Sequence, residues 1–187
     1  MAVHGVAARV VEYLFMNLSP KQTAPLKQGF YGPHFSLFLN NNTPGDKGGS
    51  TTVVPTLKSN LEKAKTDTQK QSAVDSVLQF LNKGMTKKFY GYTYFQELFG
   101  EYVDVASGND IRALAGSVAD HAIHMVSTRS GTRVLAACAS YGTPKDRKRI
   151  CKNLKGYTSS SLLHRDAYLA LLRLRSEEHT SELQSRQ

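Results

Sequence analysis

The sequence predicts an all-α chain, an α-solenoid of stacked helical repeats, on three observations. Apolar residues recur at helical spacing in segment after segment, bounded by Ser, Thr or Pro starts and Gly stops. Two segments, AARVVEYLF and GTRVLAACA, echo one another: a small residue, then Arg-Val, then apolar positions. Comparable helix starts fall near Ala8, Pro33, Tyr92, Thr132 and Ala167, and the last two intervals, 40 and 35 residues, suit helical repeats.

Residues 4 to 17 place Val6, Val10, Val11, Leu14 and Phe15 on one side of a first helix. No polar capping helix precedes it, so further repeats are expected before it. A second helix opens at Ser19-Pro20. The Gly32-Pro33 turn then leads to Phe35, Leu37, Phe38 and Leu39, a short buried helix or strand. Asn40 to Pro55 is rich in Asn, Gly and Thr without periodicity, the pattern of a flexible insertion. Its Gly48-Gly49 lacks the Gly-Lys-Ser/Thr ending of a phosphate-binding loop.

From Leu57 a polar helical stretch leads into a helix with Val74, Val77, Leu78 and Leu81 on its apolar face and Gly84 as its stop. The alternation in YGYTYF suits a strand, but a lone strand would have no partner here, so a helix is expected. Residues 109 to 127 read as one helix with Ile111, Leu114, Val118 and His121 on one side. Thr132 to Tyr141 carries Val134, Leu135, Cys138 and Tyr141, and Gly142 suits a positive φ that stops it. Thr143 can cap the next helix, Pro144 suits its first turn, and Asp146 favours the positive end of its dipole. Ile150, Cys151 and Leu154 lie on one side of that helix, and Gly156 ends it. SSSLLHRDAYLALLRL opens a last helix.

The final stretch, RSEEHTSELQSRQ from Arg175 to Gln187, abandons the apolar pattern. It resembles the in-frame translation of a sequencing-library adapter and is expected to form no domain. The organisation expected is therefore repeats over 1–39, an insertion over 40–56 and repeats over 57–174, with the natural chain continuing beyond.

Periodicity alone does not separate the HEAT, armadillo and Pumilio repeats. The segment SGTRVLAACASYGTPKDRKRICKNLKGY does: its Gly-x-Arg-Val helix followed by Gly-Thr-Pro-Lys-Asp-Arg-Lys resembles the repeats of Pumilio-related proteins of the nucleolar Puf-A type. Pumilio repeats read one base with two or three side chains on one helix. The resemblance places such trios at Ala8/Arg9/Glu12, Pro33/His34/Leu37, Tyr92/Thr93/Gln96, Thr132/Arg133/Ala136 and Ala167/Tyr168/Leu171. The middle member would stack between bases, a role for which Arg9, His34, Arg133 and Tyr168 suit. Of the edge readers, Tyr92, Gln96 and Glu12 carry usable groups, whereas Leu37, Ala136 and Leu171 do not. The resemblance thus implies RNA binding with little sequence preference. It further implies precursor ribosomal RNA and pre-ribosomal proteins as partners in large-subunit assembly, in the nucleolus, with DNA as a further ligand. A sequence-specific repressor of translation and a HEAT-like protein scaffold are the alternatives.

Charge agrees with a polyanionic partner. The chain of 187 residues carries a net +9, and residues 1–174 alone carry +10. The segment from Lys145 to Lys155 holds Lys145, Arg147, Lys148, Arg149, Lys152 and Lys155 against Asp146 alone, enough for several phosphate contacts. Lys83, Lys87, Lys88, Arg129 and Arg133 are expected to extend that surface. The candidate nucleic-acid contacts are these six together with Arg9, Tyr92, Gln96, Arg129 and Arg133.

Other chemistries find little support. His121 and His124 lie one helical turn apart, but a zinc site needs further ligands that Cys138 and Cys151 do not supply in a pair. Both cysteines are expected as reduced core thiols. No nucleophile, carboxylate pair or oxyanion hole is apparent, so no enzyme, cofactor or small-molecule substrate is expected. No apolar run approaches the ~18 residues of a membrane span, and no membrane partner is expected.

Overall fold

The structure, a computed structural model, describes residues 2–32, 56–64 and 66–184, with side chains through residue 178. Among the described residues every regular element is helical. The chain divides into two compact units, Met1–Lys87 and Lys88–Gln187.

The first unit holds α1 (Gly5–Asn17), α2 (Pro20–Gln28), a 3₁₀ turn (Gly29–Tyr31), α3 (Leu57–Lys63) and α4 (Asp67–Thr86). Helix α2 starts where the sequence places it: Pro20 occupies the first turn and the Gln22 side chain accepts from Ser19 N at 3.0 Å. Thr56 and Thr66 cap α3 and α4 by accepting from the backbone N–H three residues on. The core joins the 3₁₀ turn to α4, with Phe30 and Phe80 ring centroids 4.7 Å apart and Tyr31 and Val77 fully buried. Two expectations fail here. Helix α1 buries Ala8 and Phe15, but Val6 and Val10 stay exposed because no helix covers that side among the described residues. Gly84 does not stop α4; it is buried inside the helix, and the chain turns at Lys88, a non-glycine at φ 59°. The stretch from Pro33 to Pro55, with His34, Phe35, Leu37, Phe38, Leu39 and the expected insertion, lies outside the described residues.

The second unit holds a 3₁₀ turn (Phe89–Gly91), α5 (Thr93–Val103), α6 (Gly108–Ala119), α7 (Ala122–Met125), α8 (Arg129–Tyr141), α9 (Pro144–Leu154), α10 (Thr158–Leu163) and α11 (Tyr168–Gln184). YGYTYF forms the 3₁₀ turn and the start of α5, as the missing strand partner required. Helices α5, α8 and α11 pack side by side in one layer; α6 and α9 pack on each other in a second, and both touch α8. Phe95, Leu98, Phe99, Val118, Val134, Leu135, Cys138 and Ile150 are fully buried between them.

The single helix expected over 109–127 is two. Helix α6 ends at Ala119, His121 takes φ −120° and ψ 19°, and the four-residue α7 follows. No Gly or Pro marks that break; Asn153 stabilises it, donating to Asp120 O at 2.7 Å and accepting from Ile123 N at 3.1 Å. Helix α8 begins three residues earlier than expected, at Arg129, because Thr128 Oγ1 accepts from Gly131 N at 3.0 Å. Gly142 ends α8 without a positive φ; its φ is −68°. Its glycine is needed for space instead, since a Cβ there would stand 2.4 Å from Cys138 O. Helix α11 runs through Leu174 to Gln184 without a break.

Candidate nucleic-acid interface

The basic segment is α9, and its local sequence explains its geometry. Thr143 Oγ1 and N donate to Asp146 Oδ2 at 2.7 and 3.0 Å, and Asp146 N donates back to Thr143 Oγ1 at 3.2 Å, a reciprocal capping box. The buried side carries Asp146, Ile150 and Leu154. Burial raises the Asp146 carboxyl, but the Thr143 hydrogen bonds and the Arg149 charge outweigh it and hold the group below its ordinary value.

The six cations of this segment separate into two kinds. Lys145, Lys148, Lys152 and Lys155 are exposed and form no ion pair among the described residues. Arg147 and Arg149 are turned to structural work. Arg147 Nη1 donates to Gly142 O at 3.0 Å, satisfying a carbonyl at the negative end of α8. Arg149 grips Asp120 with both edges of its guanidinium, Nε to Oδ1 at 2.9 Å and Nη2 to Oδ2, and donates from Nη1 to Asp146 Oδ1 at 3.3 Å. Bidentate pairing of this kind fixes orientation as well as charge. The hydrogen bond from Arg149 is the main cause that holds the Asp120 carboxyl below its ordinary value.

Of the eight edge-reading positions among the described residues, four are closed. Ala8 and Gln96 are 0% exposed, Thr132 and Ala167 1%, so the first or last member of four trios is sealed between helices. Gln96 is a correction to the sequence reading. Its Nε2 donates to Tyr90 O at 2.6 Å and His124 O at 2.7 Å, and its Oε1 accepts from Thr128 Oγ1 at 2.5 Å. A carboxamide spent in this way has no free edge for a base. Tyr92 is half-buried, stacked on Tyr94 at 5.7 Å and set edge-on to Phe89 at 5.1 Å. Arg133 is exposed but bound to Asp104. Arg9, Arg129 and Tyr168 are exposed, and Arg9 and Arg129 have no ion pair among the described residues.

Sequence reasoning missed Asp104, Asp120 and Asn153, the residues that hold one repeat to the next. Their partners stand 29, 29 and 30 to 33 positions away. The approximate repeat period is the only sequence signal that relates them.

His121 stacks on Tyr90, ring centroids 4.1 Å apart and 20° between planes, and His124 lies 6.3 Å from it. Among the described residues no group of three or more His, Cys, Asp or Glu is placed to hold a metal ion. The cysteines are unpaired. Cys138 is a core thiol as expected, but Cys151 is half-buried and donates to Glu178 Oε1 at 3.6 Å. No described helix is long and apolar enough to cross a membrane.

No family model matches the chain. Among curated proteins it is similar to Pumilio homolog 3 of Danio rerio, 26% identical over 174 residues, covering 92% of this chain and 26% of the relative. Pumilio homology domain family member 6 of Schizosaccharomyces pombe is 25% identical over 158 residues, covering 84% of this chain and 23% of that protein. Among solved structures, human Puf-A in complex with DNA superposes with a TM-score of 0.73 at 22% identity, covering 93% of this chain and 32% of that one. Human Puf-A by itself gives a TM-score of 0.67 at 21% identity, covering 91% and 31%. The chain spans about a quarter of the length of the curated relatives it matches. The fold is the helical-repeat solenoid of Puf-A. In sequence the chain is thus similar to the Pumilio homologs, and in fold to Puf-A.

Proposed function

We propose that the chain binds RNA through its phosphate backbone with little sequence preference. The observation that carries this reading is the closure of the base-reading positions: Ala8, Gln96, Thr132 and Ala167 are buried, and the Gln96 amide is spent inside the protein. A base edge needs a free partner to be discriminated. Arg9, Arg129, Lys145, Lys148, Lys152 and Lys155 are exposed without an ion pair among the described residues, and cations contact phosphate without reading sequence. Similarity to Puf-A and to Pumilio homolog 3 supports a nucleic-acid ligand. The ligand proposed is precursor ribosomal RNA, bound among pre-ribosomal proteins during large-subunit assembly in the nucleolus, with DNA able to occupy the same surface.

The test is a titration of the full chain with a structured ribosomal RNA hairpin, a random single strand and an RNA bearing a Pumilio site, each at two salt concentrations. Expected are affinities that differ by less than about tenfold among the three RNAs and fall steeply with salt. A preference for the Pumilio site of about a thousandfold, the scale of specific recognition, would overturn the reading in favour of a sequence-specific repressor. Failure to bind any RNA at low salt would overturn it in favour of a protein scaffold.

A further inference from the structure

Helix α1 keeps large apolar side chains outside. Val6 is 72% exposed, Val10 58%, Tyr13 67% and Met16 70%, whereas Ala8 and Phe15 take the buried side. Steps of four, three and three residues hold these four on one face, a row of roughly 15 Å along ten residues of helical rise. Among the described elements α1 packs chiefly on α2. Single apolar residues on a surface are ordinary, but a continuous row on one helix marks an interaction surface.

The repeat register says what kind of neighbour the row takes. Arg9-Val10-Val11 of α1 echoes Arg133-Val134-Leu135 of α8. In α8 the matching face is covered by a helix. Ser130, in register with Val6, lies against Gly100 of α5, where an added Cβ would stand 3.4 Å from Ser130 Cβ, and Val134, in register with Val10, is fully buried. The row on α1 is therefore a helix-packing face. Its order of sizes fits it to a copy of itself. The small side chains, Val6 and Val10, come first and the large ones, Tyr13 and Met16, last. An antiparallel second α1 thus sets Val10 against Tyr13 and Val6 against Met16, and large against small is how facing helices interdigitate. Arg9 is exposed without an ion pair among the described residues and borders the row on the same side as Glu12. The antiparallel arrangement brings Arg9 of each copy toward Glu12 of the other, whereas a parallel one would set arginine against arginine.

We propose that α1 is a self-docking surface: two copies of this chain pair their α1 helices antiparallel through Val6, Val10, Tyr13 and Met16 as a two-fold dimer. Such a contact uses the same patch twice and closes at two copies. Four side chains on each copy, all more than half exposed before pairing, place it at the small end of protein interfaces, so the dimer forms and dissociates with concentration.

The experiment follows the mass of the full chain by light scattering across a concentration series. The mass should rise from 20.6 kDa, one chain, to twice that value and level there. Val10→Glu and Tyr13→Lys should each hold it at one chain. Both positions are exposed, so circular dichroism and the urea midpoint should match those of the wild type, and Met16→Glu replaces either variant that fails to fold. An equimolar mixture of Val10→Glu and Tyr13→Lys should recover the dimer, because antiparallel pairing sets the new carboxylate against the new ammonium. Leu172→Glu, on an exposed face of α11, should leave the dimer intact. A wild-type chain that stays at 20.6 kDa throughout overturns the proposal. So does a mass that climbs past two copies, which would mean unlike faces joining head to tail. A dimer that survives both α1 variants but is lost in Leu172→Glu moves the contact to α11. Two monomeric variants whose mixture stays monomeric overturn the antiparallel pairing.

Discussion

The carboxamide of Gln96 occupies the space that a side chain at Gly131 would need: a Cβ built on Gly131 stands 2.5 Å from Gln96 Oε1 and 2.2 Å from Met125 O. The two residues lie on neighbouring helices of one layer, and the absence of a side chain at Gly131 lets the amide reach the turn before α8. There it ties Tyr90 O, His124 O and Thr128 Oγ1 together. Gly131→Ala is therefore expected to destabilise the fold by about 1–3 kcal/mol, the usual cost of overpacking. Gln96→Ala should cost a similar amount, about 1–3 kcal/mol for each buried carbonyl left unpaired. Urea unfolding of both variants checks this. A Gln96→Ala protein of wild-type stability but altered RNA preference would show that the side chain reads a base after all.

Arg149 and Asp120 join α9 to the end of α6, 29 residues apart in sequence. Arg149→Ala should lower the urea midpoint, and the difference should shrink as salt rises, because both partners are partly solvated. The sign with pH follows from Asp120. Its carboxyl is held below the ordinary value of 3.8, chiefly by the hydrogen bond from Arg149. The stabilisation is present above that value and lost as pH falls through the lower folded-state value. Asp120→Asn should flatten the acid limb of the stability profile, and a smaller fall in midpoint between pH 5 and pH 3 than the wild type shows is the measurement.

These two relationships show which parts of the molecule were legible in sequence. The Thr143-Pro144-x-Asp146 start of α9, the apolar stripe of α8 and the helical character of YGYTYF are local, set by caps and periodicity within one or two turns. The uses of Gln96, Arg133 and Arg149 are not local. Their partners lie on the neighbouring repeat, and nothing within ten residues distinguishes an arginine that meets phosphate from one that meets Asp104 or Asp120. The break at His121 carries no Gly or Pro because its support comes from Asn153 on another helix. Gly142 was recognisable as a helix end, but its reason is the nearness of Cys138 O, a matter of packing that φ preferences do not reveal.

The two thiols should differ in reactivity. Cys138 is fully buried, and burial pushes its thiol up to about 12, so at pH 8 almost no thiolate exists and reagent cannot reach it. Cys151 is half-buried and, although burial and then Glu178 raise its thiol too, it remains within reach of solvent. A disulfide reagent at pH 8 should modify Cys151 first. Modification of Cys138 should follow global unfolding, accelerating with urea in step with the loss of helix. Equal rates for the two in native buffer would mean that α8 opens locally.

The stack of His121 on Tyr90 predicts a second pH dependence, in a window above that of Asp120. Burial is the main cause that lowers the His121 imidazole from its ordinary value of 6.5, and the charges of His124 and Lys88 add to it while Asp120 opposes them. The folded state thus binds a proton less readily than the unfolded one. Stability from this group is present above pH 6.5 and declines as pH falls through the depressed folded-state value. The groups that face it are Tyr90 on the 3₁₀ turn, Asp120 at the end of α6, His124 on α7 and Lys88 ahead of the turn, and the attraction of Asp120 for an imidazolium is outweighed by burial and the two cationic neighbours. His121→Phe keeps the stack and removes the titration. Urea midpoints for this variant should be flat between pH 7.5 and pH 5, where the wild type declines. A variant that declines as steeply as the wild type would move the effect to another group.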